Sequence, residues 1–177
     1  YGKRGSAGMK WSGLLLTALA GIGLGVYAAL RLYRRAAWLE QAAGLVRFMA
    51  AQIRYTAAPV GELLDRAAGA AEFTRLTFLA DCRQRLSRGD GFRTAWPESL
   101  REQAGAGGAN GGDCELMQRF GEELGATDVE GQLASCRLYA ERLGERLAAA
   151  RRAAAEKGRL YVTLGAAGGL AAVLLLW

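Results

Sequence analysis

The chain has 177 residues, 51% of them hydrophobic, and 23 Lys and Arg against 17 Asp and Glu give it a net charge of +6. Lys3, Arg4 and Lys10 supply part of that excess and no basic cluster interleaves with aromatic residues, so nucleic acid is not an expected partner. The sequence contains no histidine, which removes the usual base near neutral pH and the commonest metal ligand.

Residues 1–10 read as an N-terminal tail, with Met9 as an alternative start. The next stretch, "WSGLLLTALAGIGLGVYAAL" (Trp11–Leu30), carries no charge over twenty residues. As a helix it would span about 30 Å, the thickness of a hydrocarbon core. It is longer than the apolar part of a cleaved signal peptide, and Arg31, Arg34 and Arg35 follow it, so a retained transmembrane helix is expected over 11–30. The embedded "GIGLG" imitates part of a dinucleotide fingerprint, without a preceding strand or a suitably placed acid.

After this span, Leu32, Ala36, Leu39, Ala43, Val46, Ala50 and Ile53 alternate four and three apart, one apolar stripe on a helix. Nothing from Trp11 to Tyr55 stops that helix, so span and stripe are expected to be continuous. Pro59 suits an early helical position, and Leu63, Leu64 and Ala67 follow it. A further helix is expected from Ala71 to Leu86, with Phe73, Leu76, Leu79, Ala80, Cys82 and Leu86 inward, stopped by "SRGDG". Asp90 is expected to cap "FRTAWPESL", and the glycine-rich stretch from Ala104 to Gly112 reads as a mobile loop. Asp113 is expected to cap "CELMQRFGEELG", whose inward residues are Leu116, Met117, Phe120 and Leu124, with Gly125 ending it.

Thr127 and Glu130 have capping-box spacing for the last helix. Along it Val129, Leu133, Cys136, Ala140, Leu143 and Leu147 again alternate four and three apart. The helix can continue through Arg151, Arg152, Lys157 and Arg159 into Leu160–Trp177, eighteen residues without a charge. That length, about 27 Å, predicts a second transmembrane helix over 160–177. All seventeen acids lie between the two spans, together with twenty Lys and Arg, so the middle carries only +3. Basic residues flank both spans on the side of that middle. The positive-inside rule therefore puts residues 31–159 in the cytoplasm and both termini across the membrane, although Lys3, Arg4 and Lys10 oppose this for the first span. Trp11, Tyr27, Tyr33, Tyr161 and Trp177 suit interfacial positions. The fold class is thus all-α, about six helices bundled between N- and C-terminal transmembrane helices.

Gly21 and Gly25, like Gly165 and Gly169, are four apart, a spacing that permits close helix contact in lipid. Cys82, Cys114 and Cys136 lack the close spacing of a metal or redox site and read as small buried residues in a reducing compartment. Trp96 and Tyr139 read as core, Asp81 and Arg85 as a helix-surface pair, and Glu122 and Glu123 as acids on different helix faces. No serine has a nucleophile context. No catalytic, cofactor or metal site is expected, so a non-catalytic assembly component fits better than an enzyme, and the lack of a charged residue in either span counts against a transporter.

From Met9 onward the chain resembles the stage III sporulation protein AB family. The resemblance is carried by "MKWSGLLLTALAGIGLG", "LEQAAGLVRFMAAQIRYTAAPVGELL", "FRTAWPESL", "GEELGATDVEGQ" and "YVTLGAAGGLAAVLLLW". It implies a helical domain similar to the cytoplasmic domain of type II secretion F and pilus platform proteins. It also implies a place in the sporulation channel, in the membrane on the mother-cell side facing the forespore, with an ATPase, ring-forming proteins and polytopic membrane subunits as partners. A homo-oligomer is compatible with that picture, and a general type II secretion or type IV pilus platform is the alternative. The matching blocks nominate Arg47, Tyr55, Pro59, Glu62, Leu63, Gly121, Leu124, Gly125 and Asp128, with Trp96 beside them, as interface or fold-determining residues. The long glycine loop departs from the compact connection the resemblance implies.

Overall fold

The computed structural model describes residues 4–56, 59–102 and 107–176, with side chains for 16, 19–56, 59–102, 107–169 and 171. The described residues form six α-helices and one short 3-10 turn, without a strand. The order is α1 (Arg4–Thr56), α2 (Val60–Gly69), the 3-10 turn (Ala71–Phe73), α3 (Phe78–Ser87), α4 (Phe92–Glu102), α5 (Gly111–Glu123) and α6 (Val129–Leu176). Two compact units result. A central unit holds Arg34–Ala150, and a terminal unit holds Tyr1–Tyr33 with Arg151–Trp177. Helices α1 and α6 contribute residues to both.

Within the central unit, Ala36, Leu39, Ala43, Val46 and Ile53 of the expected stripe are buried. A second stripe, Trp38, Ala42, Leu45 and Met49, is buried as well. A helix covered by one neighbour needs a single stripe; two stripes mean that α1 is covered from more than one direction. On α6, Cys136, Tyr139, Leu143 and Ala150 face the core, whereas Val129, expected inward, is exposed. α5 buries Leu116, Met117 and Phe120 as its periodicity predicts, and Leu124 closes that face.

Several boundaries differ from expectation for local reasons. The helix expected from Ala71 begins at Phe78. Ala71–Phe73 forms the 3-10 turn instead, and the Phe73 and Leu76 carbonyls accept from the Leu76 and Leu79 amides in turn. Phe78 therefore joins the core and Ala80 faces out. α4 opens from the Gly91 carbonyl, which accepts from Thr94 and Ala95, so Gly91 and not Asp90 holds the cap position. The Ala104–Gly112 stretch is not a loop throughout. Residues 103–106 lie outside the described set, but Gly107 packs on the Trp38 indole and Gly108, at φ +99°, lies against the Arg34 backbone. The absence of side chains, read as an inability to build a core, is what lets this backbone press onto α1.

The core of the α3–α5 region is aromatic. The Trp96 ring meets Phe78, Phe92 and Phe120, Phe120 meets Tyr139, and Trp96 Nε1 donates to the Met117 carbonyl at 2.9 Å. That placement requires Gly121, because a Cβ there would fall on the Trp96 indole nitrogen. Gly121→Ala is expected to destabilise the chain by about 3 kcal/mol through overpacking. Gly61→Ala, where a Cβ in α2 meets nothing within 4 Å, is expected to stabilise it by about 0.5 kcal/mol. Denaturant midpoints of the two variants check this; equal effects would contradict the role given to Gly121.

Candidate functional site

The buried charge of the central unit is Asp113, whose side chain is 0% exposed. Its position is set locally. Asn110 caps α5, accepting the Asp113 amide at 2.8 Å, while the Asp113 carboxylate accepts the Asn110 amide at 3.3 Å. Asp113 is thus the third residue of a capping box, and the cap expected there belongs to Asn110. The same carboxylate accepts Arg35 Nε at 2.7 Å and Nη2 at 3.1 Å from α1, and Arg146 Nη1 at 3.0 Å from α6. Burial by itself would raise the Asp113 pKa; the bonds from Arg35, the Asn110 amide and Arg146 outweigh it and hold the carboxyl below its ordinary value.

Two further junctions repeat this pattern nearer the surface. Arg85 pairs with Asp81 at 2.9 Å, as expected, and also with Glu98 and Glu102 at 2.6 Å, which joins α3 to α4. Glu123 accepts from Tyr139 Oη at 2.8 Å and from the Ser135 hydroxyl, which ties the end of α5 to α6. Burial, then Glu123, pushes the Tyr139 phenol up to about 12. An open cleft of about 380 Å³ between α5 and α6 is lined by Gly112, Glu115, Leu116, Arg119, Arg142, Glu145 and Arg146. In its lining Arg119 pairs with Glu115 and Arg146 with Asp113, and the Arg142 guanidinium lies over the Tyr139 ring at 5.8 Å. Among the described residues no group of three His, Cys, Asp or Glu side chains could hold a metal ion. Cys82 and Cys136 are buried, with thiols pushed up to about 12 and about 11, chiefly by that burial.

The nominated residues separate into two groups. Leu63, Trp96, Leu124 and the glycine at 121 belong to the core. Pro59 starts α2, its carbonyl accepting from Glu62 and Leu63. Gly125 adopts φ +77°, which favours glycine, and sits against Val60. Asp128 caps α6 by accepting the Gly131 amide at 2.9 Å, so the cap is one residue later than the Thr127–Glu130 spacing suggested. Arg47, Tyr55 and Glu62 lie on the surface; Tyr55 is 81% exposed, and Glu62 pairs with Arg66 of its own helix. Arg35, read from the sequence as a cation flanking the first span, pairs with Asp113 instead, while Asn110 and Arg146 were passed over; the Asn110–Asp113 spacing was the available signal.

In the terminal unit the structure brings Gly21, Gly25, Gly165 and Gly169 together. A Cβ at Gly21 would stand 2.9 Å from the Gly165 oxygen and 3.0 Å from the Gly169 Cα; one at Gly25 would strike the Tyr161 carbonyl. Gly25, Ala29, Ala154, Gly158 and Gly169 are buried, whereas Leu16, Leu19, Ile22, Leu24, Val26, Leu30, Leu160, Val162 and Leu164 are exposed. Small residues lie inside and large apolar ones outside. Of the aromatics expected at interfaces, Tyr27, Tyr33 and Tyr161 are exposed, while the Trp11 and Trp177 side chains lie outside the described set. Among the described residues no helix is long and apolar enough to cross a membrane; the expected spans, 11–30 and 160–177, include residues whose side chains lie outside that set.

Two measurements follow. Asp113→Asn is expected to cost about 3 kcal/mol by breaking a buried pair. Because the folded pKa of Asp113 is lowered, its stabilisation is complete above the unfolded value of about 3.9 and is lost as pH falls through the folded one. Denaturation at stepped pH should therefore show the variant losing less stability than the parent in that acid range. Gly25→Ile should force the two helices apart and lower the thermal midpoint in mild detergent, whereas Gly23→Ile, with nothing within 4 Å, should leave it nearly unchanged. Matching midpoints for the two would sink the close-packing argument.

Compared with known proteins, the chain is matched over residues 10–177 by the model of the family described as stage III sporulation protein AB. No curated protein and no solved structure matches it. A match over so much of the chain decides the relationship that the quoted blocks suggested: the chain belongs to the stage III sporulation protein AB family.

Proposed function

We propose that the chain is a membrane-anchored, non-catalytic platform of the sporulation channel between mother cell and forespore. In this reading the terminal unit is a hairpin of two spans, 11–30 and 160–177, and the central unit lies in the cytoplasm on the mother-cell side. The observation that carries it is the inverted packing of the terminal unit. Glycine and alanine fill the helix contact while leucines, isoleucine and valines point away from it, an arrangement suited to lipid and unfavourable in water. Family membership supplies the sporulation context.

The central unit is the coupling body of the proposal. Asp113, Arg85 and Glu123 tie its helices together, which favours a rigid adaptor that meets partners through exposed residues. Arg47 and Tyr55 on α1 and Glu62 on α2 are the proposed contacts to an ATPase, to ring-forming proteins or to the polytopic subunits. A domain similar to type II secretion F cytoplasmic domains belongs to the same proposal, as does self-association.

Affinity purification from solubilised sporulating membranes is expected to recover at least one membrane subunit or ATPase of the channel, and Arg47→Glu with Tyr55→Ala to weaken that recovery. Reproducible failure to recover any such subunit would sink the platform reading. For topology, Cys82 and Cys136 are buried and Cys114 is only half-buried, so a cysteine at the exposed Tyr55 position in a Cys114→Ser background is the better probe. It should resist an impermeant reagent in sealed cells and react after lysis.

A further inference from the structure

We propose that the terminal unit carries a cationic collar for anionic phospholipid headgroups, formed by Arg31 on α1 and Arg152, Lys157 and Arg159 on α6. This rests on the hairpin reading above and names the lipid chemistry that hairpin would select. The glycine contacts set an antiparallel register within the unit. Gly21 lies against Gly165 and Gly169, Gly25 against Tyr161 and Gly165, and the Tyr33 ring against Gly158. Arg31, two residues before Tyr33, is therefore level with Lys157 and Arg159.

All four cations are exposed, and none of them forms an ion pair among the described residues. The four stand against Glu156 in this stretch, a local excess of +3. In the central unit six of the fifteen arginines, Arg35, Arg66, Arg83, Arg85, Arg119 and Arg146, have a carboxylate among the described residues.

The position of the charge selects the occupant. Immediately beside the collar begin the exposed apolar side chains of Leu30, Leu160, Val162 and Leu164, with the Tyr161 ring at the junction and the Tyr33 ring level with the collar itself. A cationic band bordering an apolar band, with a tyrosine in each, matches the depth at which lipid phosphates sit. A soluble acidic protein would use the charges and leave the adjoining apolar surface uncovered.

The full chain, purified in an uncharged detergent, tests this through its thermal midpoint with added phosphatidylglycerol, phosphatidylcholine or inorganic phosphate. Phosphatidylglycerol is expected to raise the midpoint about 4 °C or more above phosphatidylcholine. The gain should disappear in R31Q/R152Q/K157Q/R159Q, persist in R31K/R152K/R159K, and be absent with inorganic phosphate. Equal midpoints in the two lipids, an undiminished gain in the glutamine variant, loss of the gain in the lysine variant, or an equal gain from inorganic phosphate would each overturn the collar. The hairpin is tested separately by flotation with phosphatidylcholine vesicles through a high-salt wash. Failure to float overturns the hairpin reading, while the charge-dependent gain still decides the collar.

Discussion

The central unit depends on a carboxylate that cannot be left alone. Asp113 is fully buried, and a buried charge is tolerated only when its partners and hydrogen bonds are in place. Arg35 and Arg146 can both reach it only if α1, α5 and α6 hold their registers together. The amide of Asn110 must also be in place, which fixes how the chain enters α5. Apolar packing alone would allow small slides of one helix along another; this three-helix junction penalises them. Its contribution is to choose one arrangement among several that bury similar area.

The aromatic region around Trp96 supplies the bulk that the junction does not. Its indole is enclosed by Phe78, Phe92 and Phe120, and its one polar atom is satisfied by the Met117 carbonyl. Gly121 gives up helix propensity to admit it. The terminal unit uses small residues toward a different end, since there they bring two backbones together and leave the large side chains outside. The same residue type thus makes room for a ring in one unit and eliminates room in the other.

Much of this was legible in the sequence. The stripe from Ala36 to Ile53 and the inward face of α5 follow from periodicity, and the glycine pairs permitted a close helix approach without naming the partner. The second buried stripe on α1, Trp38 to Met49, was not legible, because periodicity shows which face is apolar but not how many neighbours compete for it. Phe78 and Ala80 exchanged places because a 3-10 turn reset the helix start, and such turns depend on tertiary fit. Asp128 took the cap from Thr127 where two adjacent residues were both able to serve. Asp113 was recognised as a capping residue but not as a junction, since its arginines lie 78 and 33 positions away in sequence.

The packing of Gly107 and Gly108 bears on how this family can vary in length. From Gly107 to Asp113 the chain is held continuously, first against Trp38 and Arg34 and then by the Asn110 cap and the Arg35 and Arg146 bonds. A residue gained or lost between Asn110 and Asp113 would break the capping box, and one between Gly108 and Asn110 would take the glycines out of register with Trp38 and Arg34. Relatives of this chain should therefore accommodate insertions on the Gln103 side of Gly107, with the distance from Gly107 to Asp113 kept constant.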